Sequence, residues 1–204
     1  MFVAFEGIEG SGKSTLLAAV AADLSKRNLD PLSTREPGGT PLGDSIRSLF
    51  LSRGSTIAPM AEALLVNAAR AQHVAEVVAP RLQAGGIVLC DRYVDSTLAY
   101  QGYGRGLDLH TLRAICDAAT GGLTPDVTFV LDVPLEVSRE RSAQRGIAAD
   151  RLEAEGDAFH QRVRQGFLAL ASDANHVLLD GRWPVDRLLE QILTSLRDVF
   201  EVSS

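Results

Sequence analysis

The chain has 204 residues, of which 46% are hydrophobic and 23% charged, a composition that suits one compact α/β domain over residues 1–204. It has no apolar run of about 18 residues, which predicts no membrane span, and its net charge of −6 argues against polymeric nucleic acid as a partner. The first predicted strand starts almost at once, leaving no room for a signal peptide, and the two cysteines, Cys90 and Cys116, suit a reducing cytoplasm rather than a disulfide framework.

The first predicted element is a short apolar strand, Phe2–Glu6, and the segment GIEGSGKS follows it directly. The spacing Gly-x-x-x-x-Gly-Lys-Ser is that of a phosphate-binding loop, and the apolar residues that come next predict a helix. Glycines let backbone N–H groups converge on phosphate oxygens, while Lys13 can reach the β- and γ-phosphates and Ser14 can ligate Mg²⁺. The predicted triphosphate-binding residues are Gly7, Ile8, Glu9, Gly10, Ser11, Gly12, Lys13, Ser14 and Thr15.

Helix and strand signals alternate along the rest of the chain, which favours a parallel sheet with helices on both faces. Asp91 and Asp132 follow or end apolar runs, at the edge where open α/β sheets bind ligands. Several of the runs are continuously apolar, as expected for strands that are buried on both faces. The predicted strands are Phe2–Glu6, Pro31–Ser33, Gly86–Cys90, Val127–Asp132 and His176–Leu179.

Apolar periodicity predicts two long helices, over 59–83 and 186–200. The predicted core face of the first comprises Leu64, Ala68, Ala71, Ala75, Val78 and Leu82, and that of the second Leu188, Leu189, Ile192, Leu193, Leu196, Val199 and Phe200. From 142 to 156 the periodicity breaks in a polar, arginine-rich segment bounded by glycines. We expect this segment to be a small mobile lid over the site.

Proteins with a phosphate-binding loop include switches, motors and small-molecule kinases. A guanine-specific switch would normally carry an Asn-Lys-x-Asp motif, and the chain contains no Asn-Lys pair. Motor ATPases are usually larger and oligomeric. An arginine-rich lid favours a kinase that closes over two substrates, because water in an open site would compete as the phosphoryl acceptor.

Five motifs occur in one order along nearly the whole chain. They are GIEGSGKS, TREPGGTPLG starting at Thr34, the stretch from Asp91-Arg92-Tyr93 to Tyr100-Gln101-Gly102, Leu131-Asp132-Val133-Pro134, and Asp150-Arg151-Leu152-Glu153. Together they resemble bacterial thymidylate kinase. The resemblance implies a P-loop NTPase fold with a central parallel sheet, five strands being predicted here, and a homodimer. It also implies transfer of the γ-phosphate of Mg-ATP to dTMP, giving dTDP and ADP for dTTP synthesis.

The same resemblance assigns the residues that act on the acceptor phosphate and sugar. Glu9 matches the carboxylate that binds the sugar 3′-hydroxyl, and Arg92 matches the arginine that grips the acceptor phosphate. Asp91 would position Mg²⁺, partly through water, or orient Arg92. Arg35 and Glu36 are assigned to substrate binding, with bracing of their loop as the alternative.

For the base, Arg70 matches the arginine that hydrogen-bonds the pyrimidine, although the helix pattern alone makes it a surface residue. Tyr100 fits a position that crowds a ribose 2′-hydroxyl, and the base and sugar would also be lined by Ser96, Thr97 and Gln101.

Val66 is the one departure from the family pattern among these residues. It lies four residues before Arg70, where the family usually has a phenylalanine that stacks on thymine. Such a stack contributes roughly 0.5–1.5 kcal/mol beyond burial. Base discrimination and thymidylate affinity are therefore open at this position.

The charge that develops during phosphoryl transfer requires a further cation. Positions 8–11 contain none, so the resemblance implies that the catalytic arginine lies in the lid, as Arg151 or Arg145, between which the sequence does not choose. Arg141 is expected to be a solvated helix residue. Arg182, after the last strand, is predicted to stack on adenine.

Two alternatives to a thymidylate kinase remain open. One is another nucleoside monophosphate or deoxynucleoside kinase, which Val66 makes plausible. The other is a nucleotide-binding regulator without transferase activity, which would need neither an acceptor-phosphate arginine nor an arginine-rich lid.

Overall fold

The computed structural model describes residues 1–144, 146 and 150–202. At its centre lies a parallel sheet of five strands, with the order β2-β3-β1-β4-β5. The strands are β1 (Phe2–Glu6), β2 (Pro31–Arg35), β3 (Ile87–Asp91), β4 (Val127–Asp132) and β5 (His176–Asp180). Because β1 is the middle strand, the loop that follows it opens at the centre of the sheet's carboxyl edge.

Helices cover both faces of this sheet. In the described part of the chain they are α1 (Lys13–Lys26), α2 (Pro41–Leu51), α3 (Pro59–His73), α4 (Ala79–Gln83), α5 (Val94–Thr97), α6 (Leu109–Thr120), α7 (Leu135–Gln144), α8 (Asp157–Leu170) and α9 (Val185–Val202). Two π-helical turns, Val74–Val78 and Leu98–Gly104, join α3 to α4 and extend α5.

Alternate residues of β1 contribute to different parts of the core. Val3 and Phe5 pack in a cluster with α1 and α9, whereas Phe2 and Ala4 pack with the π turn after α3 and with β3. This is the two-residue period of a strand that is covered on both faces. The continuous apolar runs therefore predicted the strands correctly, within two residues at each end.

The predicted core face of the last helix is confirmed at four of its positions, whereas Leu193 is half-buried and lies outside the core cluster. Leu188, Ile192 and Leu196 are buried against the sheet, and Leu189 packs at the edge of the same cluster. Val199 and Phe200 lie outside the described side chains.

The predicted core face of the helix at 59–83 is wrong over α3. Leu64 is 52% exposed, and Ala68 and Ala75 are exposed as well. The buried face comprises Glu62, Ala63, Val66, Asn67, Ala69, Arg70 and His73. Hydrophobic periodicity failed here because the inward face of α3 carries the polar side chains of a site.

The helix predicted over 59–83 also contains a π-helical turn. The N–H of Ala79 donates to the carbonyl of Val74, five residues back, immediately before Pro80. A proline has no N–H and its ring clashes with the carbonyl four residues earlier, so a wider turn accommodates Pro80 without ending the helix.

The segment predicted as a lid divides into two described parts. Residues 142–144 belong to α7 rather than to the lid. Residues 150–156 pack on the end of α2, where the N–H of Arg151 donates to the carbonyl of Leu51 at 3.3 Å. Leu152 is 9% exposed and joins the apolar cluster that includes Phe50, Val66 and Tyr100.

Candidate active site

The loop after β1 has the strand–loop–helix geometry that its sequence predicts. Gly7, Gly10 and Gly12 have φ angles of 137°, 71° and 104°, a region that favours glycine. A Cβ at Gly7 would lie 2.4 Å from the carbonyl oxygen of Leu131, so a side chain there would clash with β4. The loop is thus tightly curled against the sheet, with α1 beginning at Lys13.

Lys13 is folded back over this loop. Its Nζ donates to the carbonyl oxygens of Ile8 and Gly7 at 2.9 and 3.1 Å, and only 5% of the residue is exposed. Burial, followed by the nearby positive charge of Arg92, lowers the pKa of Lys13 to about 8. The phosphates of a bound nucleotide would place further negative charge beside this ammonium group and so stabilise its charged form.

Ser14 and Asp91 meet beside the loop. The Ser14 hydroxyl donates to Asp91 Oδ2 at 2.5 Å, at a site open to solvent. A hydroxyl and a carboxylate are hard oxygen donors of the type that Mg²⁺ prefers, so this pair fits the predicted metal site.

Arg92 connects the loop to a neighbouring pocket. Its Nη1 donates to the Gly7 carbonyl and to Ser96 Oγ, both at 3.0 Å, and its Nη2 lies 3.4 Å from Glu9 Oε2 and 3.3 Å from the Tyr100 hydroxyl. Its φ angle is 73°, which is uncommon for a residue with a side chain. Strained backbone of this kind concentrates at functional sites.

A cleft of about 700 Å³, part of it open to solvent, begins at Arg92. It brings together most of the residues predicted to bind the acceptor: Glu9, Glu36, Val66, Arg70, Arg92, Ser96, Thr97, Tyr100 and Gln101. Arg35 lies elsewhere, with a side chain that is 60% exposed and 3.8 Å from Asp44, on the surface that also carries Ser14 and Asp91. Its assignment to the acceptor stays a prediction.

Arg70 is fully enclosed, contrary to the surface position that the helix pattern alone indicates. Its Nε donates to Glu36 Oε2 at 2.7 Å, its Nη1 to Asn67 and Thr97, and its Nη2 to the Tyr93 carbonyl at 2.7 Å. The side chain is 2% exposed. Nη1 also contacts Cys116 Sγ at 3.6 Å. Among described residues Nη2 has one hydrogen-bond partner for its two hydrogens, and Arg70 lines the cleft, so we expect its second Nη2 hydrogen to be available to a ligand.

Several residues that line the cleft were missed by the sequence reasoning. Arg47, Phe50 and Leu51 come from α2, and His160 comes from α8. Phe50 supplies an aromatic ring in the same cleft as Val66. The spacing 43, 47, 50 and 51 is the signal that could have revealed this face of α2, because those positions share one side of a helix.

Arg151, in the segment predicted as a lid, pairs with a buried carboxylate. Its Nη1 pairs with Glu62 Oε1 at 2.5 Å, and its Nε donates to the Phe50 carbonyl at 2.9 Å. Glu62 also accepts bonds from Arg105 and Gln101. The catalytic role of Arg151 stays a prediction, and Arg145, the other candidate, lies outside the described residues.

Arg141 was predicted to be a solvated helix residue, and Arg182 was predicted to stack on adenine. Arg141 is half-buried rather than solvated, and its Nη1 lies 3.4 Å from the carbonyl oxygens of Gly10 and Ser11, a correction that puts a cation at the loop. Arg182 is 61% exposed and pairs with Asp180 at 2.7 Å, beside Trp183. Its stacking on adenine stays a prediction.

Comparison with known proteins agrees with this geometry. The thymidylate kinase family model matches residues 5–192. Proteins named thymidylate kinase are 47% identical in Desulfovibrio desulfuricans, over 96% of this chain and 94% of the relative, and 50% identical in Thermosynechococcus vestitus, over 94% and 85%. The crystal structure of thymidylate kinase from Ehrlichia chaffeensis superposes with a TM-score of 0.78 at 32% identity, covering 97% of this chain and 98% of that one. In the described residues, no helix has the length and apolar character that a membrane span requires. The chain belongs to the thymidylate kinase family.

Proposed function

We propose that this protein transfers the γ-phosphate of ATP to dTMP, giving dTDP and ADP. The observation that carries the proposal is the position of Arg92. One of its nitrogens contacts the Gly7 carbonyl in the phosphate-binding loop, and the other faces Glu9 and Tyr100 in the cleft. An acceptor phosphate bound by this guanidinium would lie beside the phosphates of a nucleotide held by the loop.

On the donor side, the loop N–H groups and Lys13 would hold the triphosphate. Ser14 and Asp91 would hold Mg²⁺, which supplies neutralisation of phosphate charge when bound. Arg141 adds a positive charge at Gly10 and Ser11. The catalytic contribution of the lid arginines, Arg145 and Arg151, and the opening of the lid belong to the same proposal.

On the acceptor side, the remaining N–H of Arg70 selects for a base that offers an acceptor. A thymine or uracil carbonyl would satisfy it, whereas the amino group of cytosine would leave a buried donor unpaired, a mismatch that strongly penalises binding. Tyr100 lies against Arg92, and we propose that its ring excludes a ribose 2′-hydroxyl. Glu9 would bind the 3′-hydroxyl.

We also propose a homodimer in the cytoplasm. Apolar side chains project to solvent from the outer faces of α2 and α3: Leu42 and Leu49 are 49% and 56% exposed, and Met60 and Leu64 are 38% and 52% exposed. A second copy of the chain would cover such a patch. Both cysteines are free and buried, as expected for a reducing compartment.

The test is ADP release from Mg-ATP with dTMP, dUMP, dCMP, dGMP, AMP, GMP and UMP as acceptors. We expect a strong preference for dTMP. Preference for another monophosphate would keep the kinase and overturn the specificity. ATP binding without acceptor-dependent turnover would instead favour a nucleotide-binding regulator.

A further inference from the structure

Glu6 is a buried carboxylate that the proposed chemistry does not use. It is the last residue of β1, has no exposed surface, and does not line the acceptor cleft. It precedes the phosphate-binding loop, so no phosphate contact assigned above involves it. A buried carboxylate is costly unless hydrogen bonds compensate it, and its partners therefore indicate its purpose.

Among described residues, the hydrogen bonds to the Glu6 carboxylate come from Tyr93 and Ser96, which follow Arg92 in the chain. Oε1 accepts from the N–H of Tyr93 at 2.6 Å and from the N–H of Ser96 at 3.2 Å. Oε2 accepts from the Ser96 hydroxyl at 2.6 Å. Glu6 thus fixes the backbone on one side of Arg92 and the orientation of one nearby hydroxyl.

That hydroxyl is in turn a contact of the Arg92 guanidinium. Ser96 has a single O–H, and because it donates this hydrogen to Glu6, its lone pairs face the Nη1 of Arg92 at 3.0 Å. The neighbours of Glu6 complete the support, since the Arg92 N–H donates to the Phe5 carbonyl at 2.9 Å and Nη1 also donates to the Gly7 carbonyl. Residues 5, 6 and 7 therefore hold both ends of Arg92.

We infer that Glu6 is a positioning residue, whose negative charge orients Ser96 and the strained Arg92 so that the guanidinium faces the acceptor phosphate. This inference rests on the proposed function. A neutral Glu6 with its proton on Oε2 would donate a hydrogen bond to the Ser96 oxygen instead of accepting one. The Ser96 hydrogen would then be free to turn toward the Arg92 guanidinium, where a lone pair is needed.

The surroundings of Glu6 make its charge sensitive to pH. Burial, reinforced by the negative charge of Asp95, raises the pKa of Glu6 to about 7, although Arg92 and the hydrogen bonds from Ser96 and Tyr93 oppose the shift. Asp95 pairs with His176 Nε2 at 2.6 Å. Among the described residues, His176, Lys13 and Cys90 also interact electrostatically with Glu6. Above this pKa Glu6 is charged, and below it the carboxyl is neutral.

Glu6→Gln removes the charge while keeping the shape of the side chain. At pH 8 we expect kcat/KM for dTMP to fall roughly 10- to 100-fold, the range of a lost charge-assisted hydrogen bond. Binding of thymidine is expected to weaken much less than that of dTMP, since thymidine lacks the phosphate that the guanidinium is proposed to bind. Equal weakening of dTMP and thymidine would overturn the inference, because it would indicate a general structural defect.

The pH profile supplies a second test that does not depend on the Glu6→Gln variant folding. In the wild-type protein kcat/KM for dTMP should fall below about pH 7, as Glu6 takes up a proton. Asp95→Asn keeps an oxygen for His176 but removes the charge that raises the Glu6 pKa, so this fall should move to lower pH with an unchanged plateau. The acceptor phosphate itself titrates near pH 6, but it does so equally in every variant.

The titration of His176 is the competing explanation for a fall in kcat/KM at acid pH. Burial alone would lower the pKa of His176, but its hydrogen bond to Asp95 raises that pKa overall. His176→Gln should therefore retain the acid fall, and its loss in that variant would overturn the role of Glu6. Superimposable profiles for wild type and Asp95→Asn would overturn it as well. Absence of dTMP turnover in the wild-type protein would instead refute the proposed function, so the two failures are distinguishable.

Discussion

The buried pair of Arg70 and Glu36 allows the stability of the site to be separated from its chemistry. Arg70→Met removes the guanidinium and leaves the Glu36 carboxylate, which is 3% exposed, with His73 Nδ1 at 2.9 Å as its remaining side-chain partner among described residues. Breaking a buried pair in this way costs about 3–5 kcal/mol. We therefore expect the free energy of unfolding to fall by that amount.

The expected loss is large enough to measure in two ways. In a domain of this size about 1 kcal/mol corresponds to roughly 2–4 °C in Tm, so Arg70→Met should melt roughly 6–20 °C below the wild type. Urea unfolding gives the free energy directly. Arg27→Met is the matched control, because Arg27 pairs with Asp23 at an exposed site, with side chains 48% and 25% exposed. Its loss should cost less than about 1 kcal/mol.

Neutralising the partner should restore stability without restoring activity. The double variant Arg70→Met with Glu36→Gln no longer buries an unpaired charge, so it should recover about 2 kcal/mol relative to the sum of the single changes. It still lacks the N–H that faces the base, so dTMP turnover should stay low. The reasoning would be refuted if the losses in unfolding free energy of the two single variants added up to that of the double variant within about 0.5 kcal/mol. It would also be refuted if Arg70→Met lost no more stability than the Arg27→Met control.

Three further predictions concern the loop, the base and the thiols. Lys13→Ala should abolish ADP release while leaving the circular dichroism and Tm close to wild type, because the hydrogen bonds of Nζ to described residues all lie within the loop; near-normal turnover would defeat the phosphate-loop assignment. Val66→Phe should raise the affinity for dTMP roughly 2- to 12-fold by calorimetry, which corresponds to one offset stack. Unchanged affinity would mean that the base is held another way, with Phe50 in the same cleft as one candidate. Burial raises the pKa of Cys90 and Cys116, so neither should react with a thiol reagent at pH 8 until the protein is unfolded, and fast reaction in the native state would contradict the packing.

The three central strands of the sheet, β1, β3 and β4, were predictable because they are buried on both faces and are therefore apolar at almost every position. Val3 and Phe5 point one way and Phe2 and Ala4 the other, and all are apolar. The phosphate loop was predictable for another reason: a glycine-rich curl, a lysine and a serine at fixed spacing have few other uses. Both signals are local in sequence.

The inward face of α3 was not predictable by the same logic. Periodicity assigned Leu64 to the core, whereas the structure leaves it 52% exposed and buries Arg70 and Glu62. A buried charge is stable only with a partner, and the partner of Arg70 is Glu36, 34 positions earlier in the chain. Such pairing depends on tertiary contacts, so a single sequence did not reveal it. The resemblance to a family identified Arg70 where periodicity failed.

Three enclosed glutamates each hold one arginine of the site. Glu36 holds Arg70, Glu62 holds the lid through Arg151, and Glu6 holds Arg92 through Ser96. None of the three carboxylates is more than 3% exposed. Apolar residues in their places would often be at least as stabilising, so stability alone does not explain them. Each carboxylate fixes the direction of an arginine whose donors must be in place before a phosphate or a base arrives, and preorganised donors of this kind contribute most when they need not rearrange during the reaction. The requirement to position cations before the substrates bind thus explains why the site lies over buried negative charge.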